Sequence, residues 1–149
     1  MYRYGPTCEK DYGPTPMTIC IEEETKRNRN FRSALWTGQH LQVTLMSIEP
    51  GQSIGLEVHP MTDQFLHIQQ GRGLVEMGSS RESLSFRRCA VAGDAVLVPA
   101  GTWHNLTNTG RIPLKLFSIY APPEHPAGTI HRTKEEAEKA ENHSAKSPK

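Results

Sequence analysis

Three side chains in one short stretch read like half of a metal site. In "GLEVHPMTDQ", residues 55–64, Glu57 and His59 lie two apart and Gln64 follows five later. A carboxylate and an imidazole are good ligands for a divalent ion, and an amide oxygen is a weaker, neutral one. A second stretch, "GDAVLVPAGTWHN", residues 93–105, carries His104. Gly93 and Asp94 make a turn, "AVLV" reads as a strand, and Pro99 with Gly101 makes a second tight turn. That rigid corner delivers one histidine at the start of the next strand. Asn108 suits the turn that follows, with Thr109 and Gly110. Gln64 either ligates or hydrogen-bonds Glu57 from behind. The alternative is a metal-free polar cluster, but ionisable groups in an interior are costly without a compensating partner.

If residues 53–59 form a strand, Gly55, Glu57 and His59 share one face and Leu56 and Val58 the other. Pro60 ends it, and "QFLHIQQ" returns with Gln64, Leu66 and Ile68 on one face. A hairpin of these two runs presents Glu57, His59 and Gln64 to one interior. His67 then points outward with Phe65 and Gln69. In "LKLFSIY", Lys115 seeks water, which turns Leu114, Leu116, Ser118 and Tyr120 inward and Phe117 and Ile119 outward. Tyr120 sits at a strand end, either as a wall residue or with its hydroxyl toward a ligand. "PPEHPAGTIH" follows that strand and carries His125 and His131. Folded over a barrel mouth, this loop lends a proton-transfer group; otherwise it is a docking loop with exposed histidines. Tyr120 and His125 are therefore the candidate catalytic residues. His40 and His143 are expected at the surface, and Trp103 in sheet packing.

The elements that must position these groups are short. Between residues 31 and 122 the chain is a series of strand-like runs bounded by Gly, Pro, Asn or Asp, which predicts an all-β sandwich or barrel. No long amphipathic helix interrupts them, so an alternating β/α architecture is excluded. Residues 1–30 read as an N-terminal arm, with a charged or helical turn in "EEETKRNRN". Residues 123–149 read as a loop and a short polar helix, where Thr133 and Glu136 have capping-box spacing. The glycines of "QQGRGLVEMG" predict a hairpin rather than a phosphate loop, because no helix follows them.

Composition narrows the function classes. At 149 residues the chain is one domain with room for a core. It has no apolar run long enough to span a membrane. Its first residues carry no apolar signal region, so a cytoplasmic location is expected. Cys8, Cys20 and Cys89 fit neither a disulfide framework nor a zinc knuckle and are expected as reduced thiols. The net charge of +1 comes without a basic stripe, which argues against nucleic acid. The expected partners are a small-molecule substrate and a second copy of the chain. Leu56, Val58, Phe65, Phe117 and Ile119 on the outer face call for a homodimer or a covering arm.

Two motifs carry a family resemblance. Gly93, Pro99, Gly101, His104 and Asn108 meet the pattern G-x5-P-x-G-x2-H-x3-N in full. Residues Gly51 to Gly71 keep the spacing of G-x5-H-x-H-x4-E-x6-G, with His59 in place. Glu57 stands where that pattern has its first His, and Gln64 where it has Glu. The chain thus resembles the cupin superfamily over roughly residues 45–122, with an altered first motif. The resemblance implies a single-domain jelly-roll barrel, usually dimeric, with one divalent metal (Mn, Fe, Zn, Ni or Co). The carboxylate has moved rather than vanished, so Glu57, His59, Gln64 and His104 keep the ligand charge of the family set. The chain looks like the small cupins described as mannose-6-phosphate isomerase-like. The expected function is metal-dependent isomerase-like or lyase-like chemistry on a small oxygen-rich molecule. The alternatives are a non-haem metal dioxygenase and a non-catalytic small-molecule binding module.

Overall fold

The structure, a computed structural model, describes residues 10–146, with side chains through residue 142. Cys8 and the side chain of His143 lie outside the described residues. After a short helix, α1 (Ile21–Arg27), eight strands follow: β1 (Arg32–Thr37), β2 (Gln42–Ile48), β3 (Asp63–Gln70), β4 (Arg72–Gly78), β5 (Phe86–Val91), β6 (Ala95–Val98), β7 (Trp103–Asn108) and β8 (Leu114–Ala121). A two-residue strand, β9 (Ile130–His131), and the helix α2 (Lys134–Lys146) end the chain. The strands form a six-stranded sheet in the order β6-β3-β8-β2-β1-β9 and a three-stranded sheet β5-β4-β7. All pairings are antiparallel. This is the all-β architecture that the strand runs predict, in the jelly-roll form that the cupin resemblance implies, with the C-terminal helix expected from the capping-box spacing.

Alternation sets the two faces of the large sheet. In β3 as far as Gln69 and throughout β8 the burial switches from residue to residue, which turns Gln64, Leu66 and Ile68, and Leu114, Leu116, Ser118 and Tyr120, inward as expected. The registers align these into cross-strand rows. Gln42, Tyr120 and Gln64 form one, Thr44, Ser118 and Leu66 the next, and Arg32, Met46, Leu116 and Ile68 a third. The apolar core lies below, where Ile48, Leu66, Ile68 and Leu114 meet Val75 and Leu106 of the small sheet. Burial of this kind stabilises by roughly 25 cal/mol per Å². The barrel is therefore apolar at one end and polar at the other.

Two expectations need correction. Residues 53–59 do not form a regular strand, and they do not make a hairpin with β3. They run beside β7 instead, paired only at Ser53 with Thr107 and at Glu57 with His104. Gly55 is the reason: its φ of +98° breaks the extended run, and its N–H donates to the Asn105 side chain at 3.1 Å. Likewise, the glycines after β3 make no hairpin, because β3 and β4 belong to opposite sheets. The chain crosses between sheets at Gly71, whose φ is +89°; a Cβ there would stand 3.2 Å from the Leu114 Cα.

The flanks are docked. Asp11 accepts from Thr37 N–H at 2.9 Å, Thr37 Oγ1 at 2.6 Å and Gly128 N–H at 2.9 Å, tying the arm and the C-terminal loop to β1. Burial alone would raise this carboxyl, but those bonds and one from Gly13 hold it below its usual value. Helix α1 buries Glu24 and Thr25 against the barrel. Thr133 caps α2 as its spacing predicts, accepting from Glu136 N–H at 3.2 Å. The Glu136 carboxylate accepts in turn from Arg132 N–H at 2.7 Å. This helix is not fully solvated, since Ala137 is 3% exposed and joins the core cluster.

Candidate metal centre

Glu57 and His104 face each other across a two-residue ladder. Glu57 N–H donates to His104 O at 3.1 Å, and His104 N–H donates to Glu57 O at 2.9 Å. Directly opposed residues send their side chains to the same side. Glu57 Oε1 accordingly lies 3.5 Å from His104 Nε2 and 3.3 Å from His59 Nε2. One ligand atom from each of Glu57, His59 and His104 falls within 4.8 Å of the others. The corner before His104 is also fixed: Gly101, at φ +81°, donates to His59 O at 2.9 Å, and Ala100 N–H donates to Asp63 at 2.8 Å. Asn108 holds the far end of β7, donating to Ile48 O and Ile112 O at 2.8 Å each.

The ring tautomers follow from the other nitrogens. His104 Nδ1 is 2.9 Å from Thr102 O, a carbonyl that only accepts, so Nδ1 carries the proton and the Nε2 lone pair faces the interior. His59 Nδ1 lies 3.0 Å from Glu124 Oε1, and Glu124 Oε2 accepts from Thr62 Oγ1 at 3.1 Å. A carboxylate behind a histidine orients the ring and raises its basicity for a metal. Burial alone would lower His59, but Glu57 and Glu124 on either side outweigh it and raise its pKa. Burial alone would raise Glu57, but the two imidazoles and the Arg32 charge hold it well below the usual carboxylate range.

Gln64 is 3% exposed, and its amide nitrogen donates to Ser118 Oγ at 3.3 Å. Its Oε1 is buried with no partner. The same holds for Glu57 Oε1, His59 Nε2 and His104 Nε2. A buried polar atom without a partner costs about 1–3 kcal/mol. Three of these atoms, Glu57 Oε1, His59 Nε2 and His104 Nε2, converge and can each give a lone pair, which suits a cation. Tyr120 is fully buried, edge-on to His59 at 5.7 Å and to His125 at 5.1 Å between ring centroids. Burial pushes the Tyr120 phenol up to about 12 and His125 down to about 3. The loop bearing His125 is clamped by Gln42, which donates to His125 O at 2.8 Å and accepts from His125 N–H at 3.0 Å. Above the centre opens a cavity of about 400 Å³ lined by Glu57, His59, Glu124, His125, His131 and Glu141.

The structure thus brings Tyr120, His125 and the three His and Glu donors to one end of the barrel. His67 and His40 lie away from it: His67 stacks on Phe117 at 5.3 Å on the outer face, and His40 is exposed. Sequence reasoning missed Glu124, Arg32 and Glu141. Glu124 precedes His125 in the loop already singled out for the mouth. Arg32 had a signal in its β1 alternation with Ala34, which places it inward. Glu141 had none, because nothing in a polar helix says which face docks. Cys20 and Cys89 are free thiols, as expected.

Comparison with known proteins agrees with this architecture. A model of the cupin domain matches residues 44–120. The chain is 59% identical over 133 residues to the uncharacterized protein YrkC of Bacillus subtilis (strain 168), covering 89% of this chain and 72% of that protein. It superposes on the crystal structure of BH2720 from Bacillus halodurans with a TM-score of 0.87 at 60% identity, covering 87% of this chain and 98% of that one. A protein with a double-stranded β-helix domain from Klebsiella pneumoniae gives a TM-score of 0.61 at 24% identity, covering 79% of this chain and 100% of that one; this likeness concerns the fold alone.

Proposed function

Starting from the fact that the chain belongs to the cupin family, we propose that it holds one divalent metal ion and acts on a small oxygen-rich molecule. Glu57, His59, Gln64 and His104 would hold the ion. A single observation carries this reading. Among the described residues, every buried side-chain polar atom without a partner belongs to Arg32, Thr44, Glu57, His59, Gln64, His104, Tyr120 or His125. These residues are linked by cross-strand rows, ring contacts and shared electrostatics at one end of the barrel. Native interiors leave few such atoms, so their concentration marks a place built for a ligand.

The donor set suits Fe(II), Mn, Ni, Co or Zn. When bound, the ion supplies Lewis acidity, polarising a carbonyl or hydroxyl oxygen of the substrate and making its neighbouring protons more acidic. The chain's own residues do the rest. His59 and His104 are held in orientation from behind by Glu124 and Thr102 O. Tyr120, neutral at pH 7, is a hydroxyl donor at the inner wall. His125, also neutral, is placed to accept a proton on the mouth side. Isomerase-like or lyase-like chemistry, of the kind the mannose-6-phosphate isomerase-like resemblance suggests, needs such a donor and acceptor. The test is product analysis of metal-loaded protein with small sugars, hydroxy acids and keto acids. Turnover that vanishes in Glu57→Ala supports an enzyme.

A second reading has one observation in its favour. Neither Tyr120 nor His125 titrates near neutral pH in the ligand-free protein, whereas efficient general acids and bases usually do. Tight binding without turnover across the same panel would make the protein a binding module.

We propose further that a second copy covers the outer face of the six-stranded sheet. Leu97, Phe65, Ile119 and Val43 align there in one cross-strand row. Leu97 is 66% exposed. An apolar row of this kind is a common basis for self-association.

A further inference from the structure

Arg32 is a buried cation without an anion. It lies on β1, level with Met46, Leu116 and Ile68, so it faces the interior. It is 1% exposed. Among the described residues no carboxylate pairs with it. Its Nη1 meets His131 Nδ1 at 3.4 Å, and its Nε is buried with no partner. A guanidinium does not shed its charge at any ordinary pH, so it cannot escape the cost of burial by deprotonating. Its field reaches Glu57, Tyr120, His125 and His131, two of which border the cavity with Glu57.

The remaining orphaned atoms lie with it. Glu57, His59, Gln64 and His104 account for the metal donors. Arg32 Nε, Thr44 Oγ1, Tyr120 OH and His125 Nε2 are left over. Nε–H and the two hydroxyls can all donate to an oxygen. The Thr44 and Tyr120 hydroxyls are close enough to interact with each other, so one of the two is the freer donor, and Tyr120 and His125 touch edge to face. A divalent ion beside Glu57 and the Arg32 charge would together set three positive charges against one buried carboxylate, Glu57; Glu124 and Glu141, which also line the cavity, are exposed. Together these features ask for a ligand that is both anionic and rich in oxygen.

We propose that Arg32 is a specificity-determining residue that receives an anionic oxygen group, a carboxylate or a phosphate, of the substrate. The proposal deepens the metal-centre reading and rests on it. The Nε edge of a guanidinium offers a fork that such groups fill. Tyr120 and Thr44 would donate to the same group or to a neighbouring hydroxyl. Neutral polyols would satisfy the hydroxyls and leave Arg32 unpaired, so they would bind weakly.

The test is calorimetric titration of the full chain with glycolate, inorganic phosphate and ethylene glycol, with and without added Mn(II). Metal content is measured on each sample, so the metal reading is scored separately. Binding of glycolate or phosphate, but not ethylene glycol, supports the proposal, and the better anion identifies the group. Arg32→Met should weaken that binding on the order of 30-fold or more. It should leave metal content unchanged and thermal stability unchanged or raised, because an unpaired buried charge has been removed. Arg32→Lys keeps the charge and loses the fork; a weakened anion affinity in that variant gives the same answer should Arg32→Met fail to fold. A metal-loaded protein that binds no anion overturns this proposal and leaves the metal centre standing. Anion affinity unchanged in both variants also overturns it. If no metal binds, Arg32-dependent anion binding by the metal-free protein still supports the role of Arg32, and its absence overturns it.

Discussion

Glu57 and His104 exchange two backbone hydrogen bonds, at 3.1 and 2.9 Å, and this pairing brings Glu57 Oε1 within 3.5 Å of His104 Nε2. A proton or a metal ion held between these two atoms makes their contact attractive. The ladder holds them together regardless. The centre is therefore pre-organised by its backbone.

Glu124 should tune the metal without touching it. It accepts from His59 Nδ1 and from Thr62, so Glu124→Gln keeps the shape and weakens the orienting charge. The expected outcome is a loss of metal affinity of about 10- to 100-fold with little change in fold. Competition with a chelator of known affinity measures it. Unchanged affinity would mean that His59 is oriented by packing alone.

Metal affinity should rise with pH. His59 has a raised pKa because two carboxylates flank it, so it keeps its second proton to a higher pH than a free imidazole. A metal must displace that proton. Below the raised pKa, affinity should fall by about tenfold per pH unit, and above it the dependence should flatten. Metal titrations from pH 5 to pH 9 in a non-coordinating buffer would show the slope; a flat profile would exclude His59 as a ligand.

The arm should detach in acid. Asp11 has a folded pKa below its ordinary 3.8. Its contribution is full above the unfolded value and is lost as pH falls through the lower, folded one. Asp11→Ala removes the acceptor for Thr37, Gly13 and Gly128 and should destabilise by about 1–3 kcal/mol at pH 7. The difference from wild type should shrink below about pH 3.8. Urea unfolding at two pH values checks both parts.

The self-association proposal makes a simple forecast. Leu97→Lys places a charge in the outer apolar row, so sedimentation velocity should show wild-type dimers and variant monomers. A monomeric wild-type protein would leave that row as ordinary exposed surface.

Much of the fold was legible because its strands alternate cleanly. Gln64 to Ile68 and Leu114 to Tyr120 read correctly as inward and outward sets, since each has one buried and one half-exposed face. His104 was legible from the Pro99–Gly101 corner, whose tight turn has only a few residue solutions. The strand over 53–59 was not, because its polar-apolar alternation is real while Gly55 adopts a φ that only backbone geometry reveals. The partner of this segment was misjudged for a related reason. Neighbours in sequence suggest a hairpin with β3, but residues 53–59 bridge to β7 of the other sheet, at Ser53 with Thr107 and Glu57 with His104. Arg32 and Glu141 went unnoticed because an arginine in a strand and a glutamate in a polar helix read as surface until the mouth is assembled in three dimensions.

The most direct test is elemental analysis of the purified chain beside Glu57→Ala and His104→Ala, each confirmed folded by circular dichroism. The account predicts close to one divalent ion per wild-type chain and essentially none in either variant. A wild-type protein that takes up no metal, even after reconstitution with Mn, Fe, Co, Ni and Zn, would contradict it.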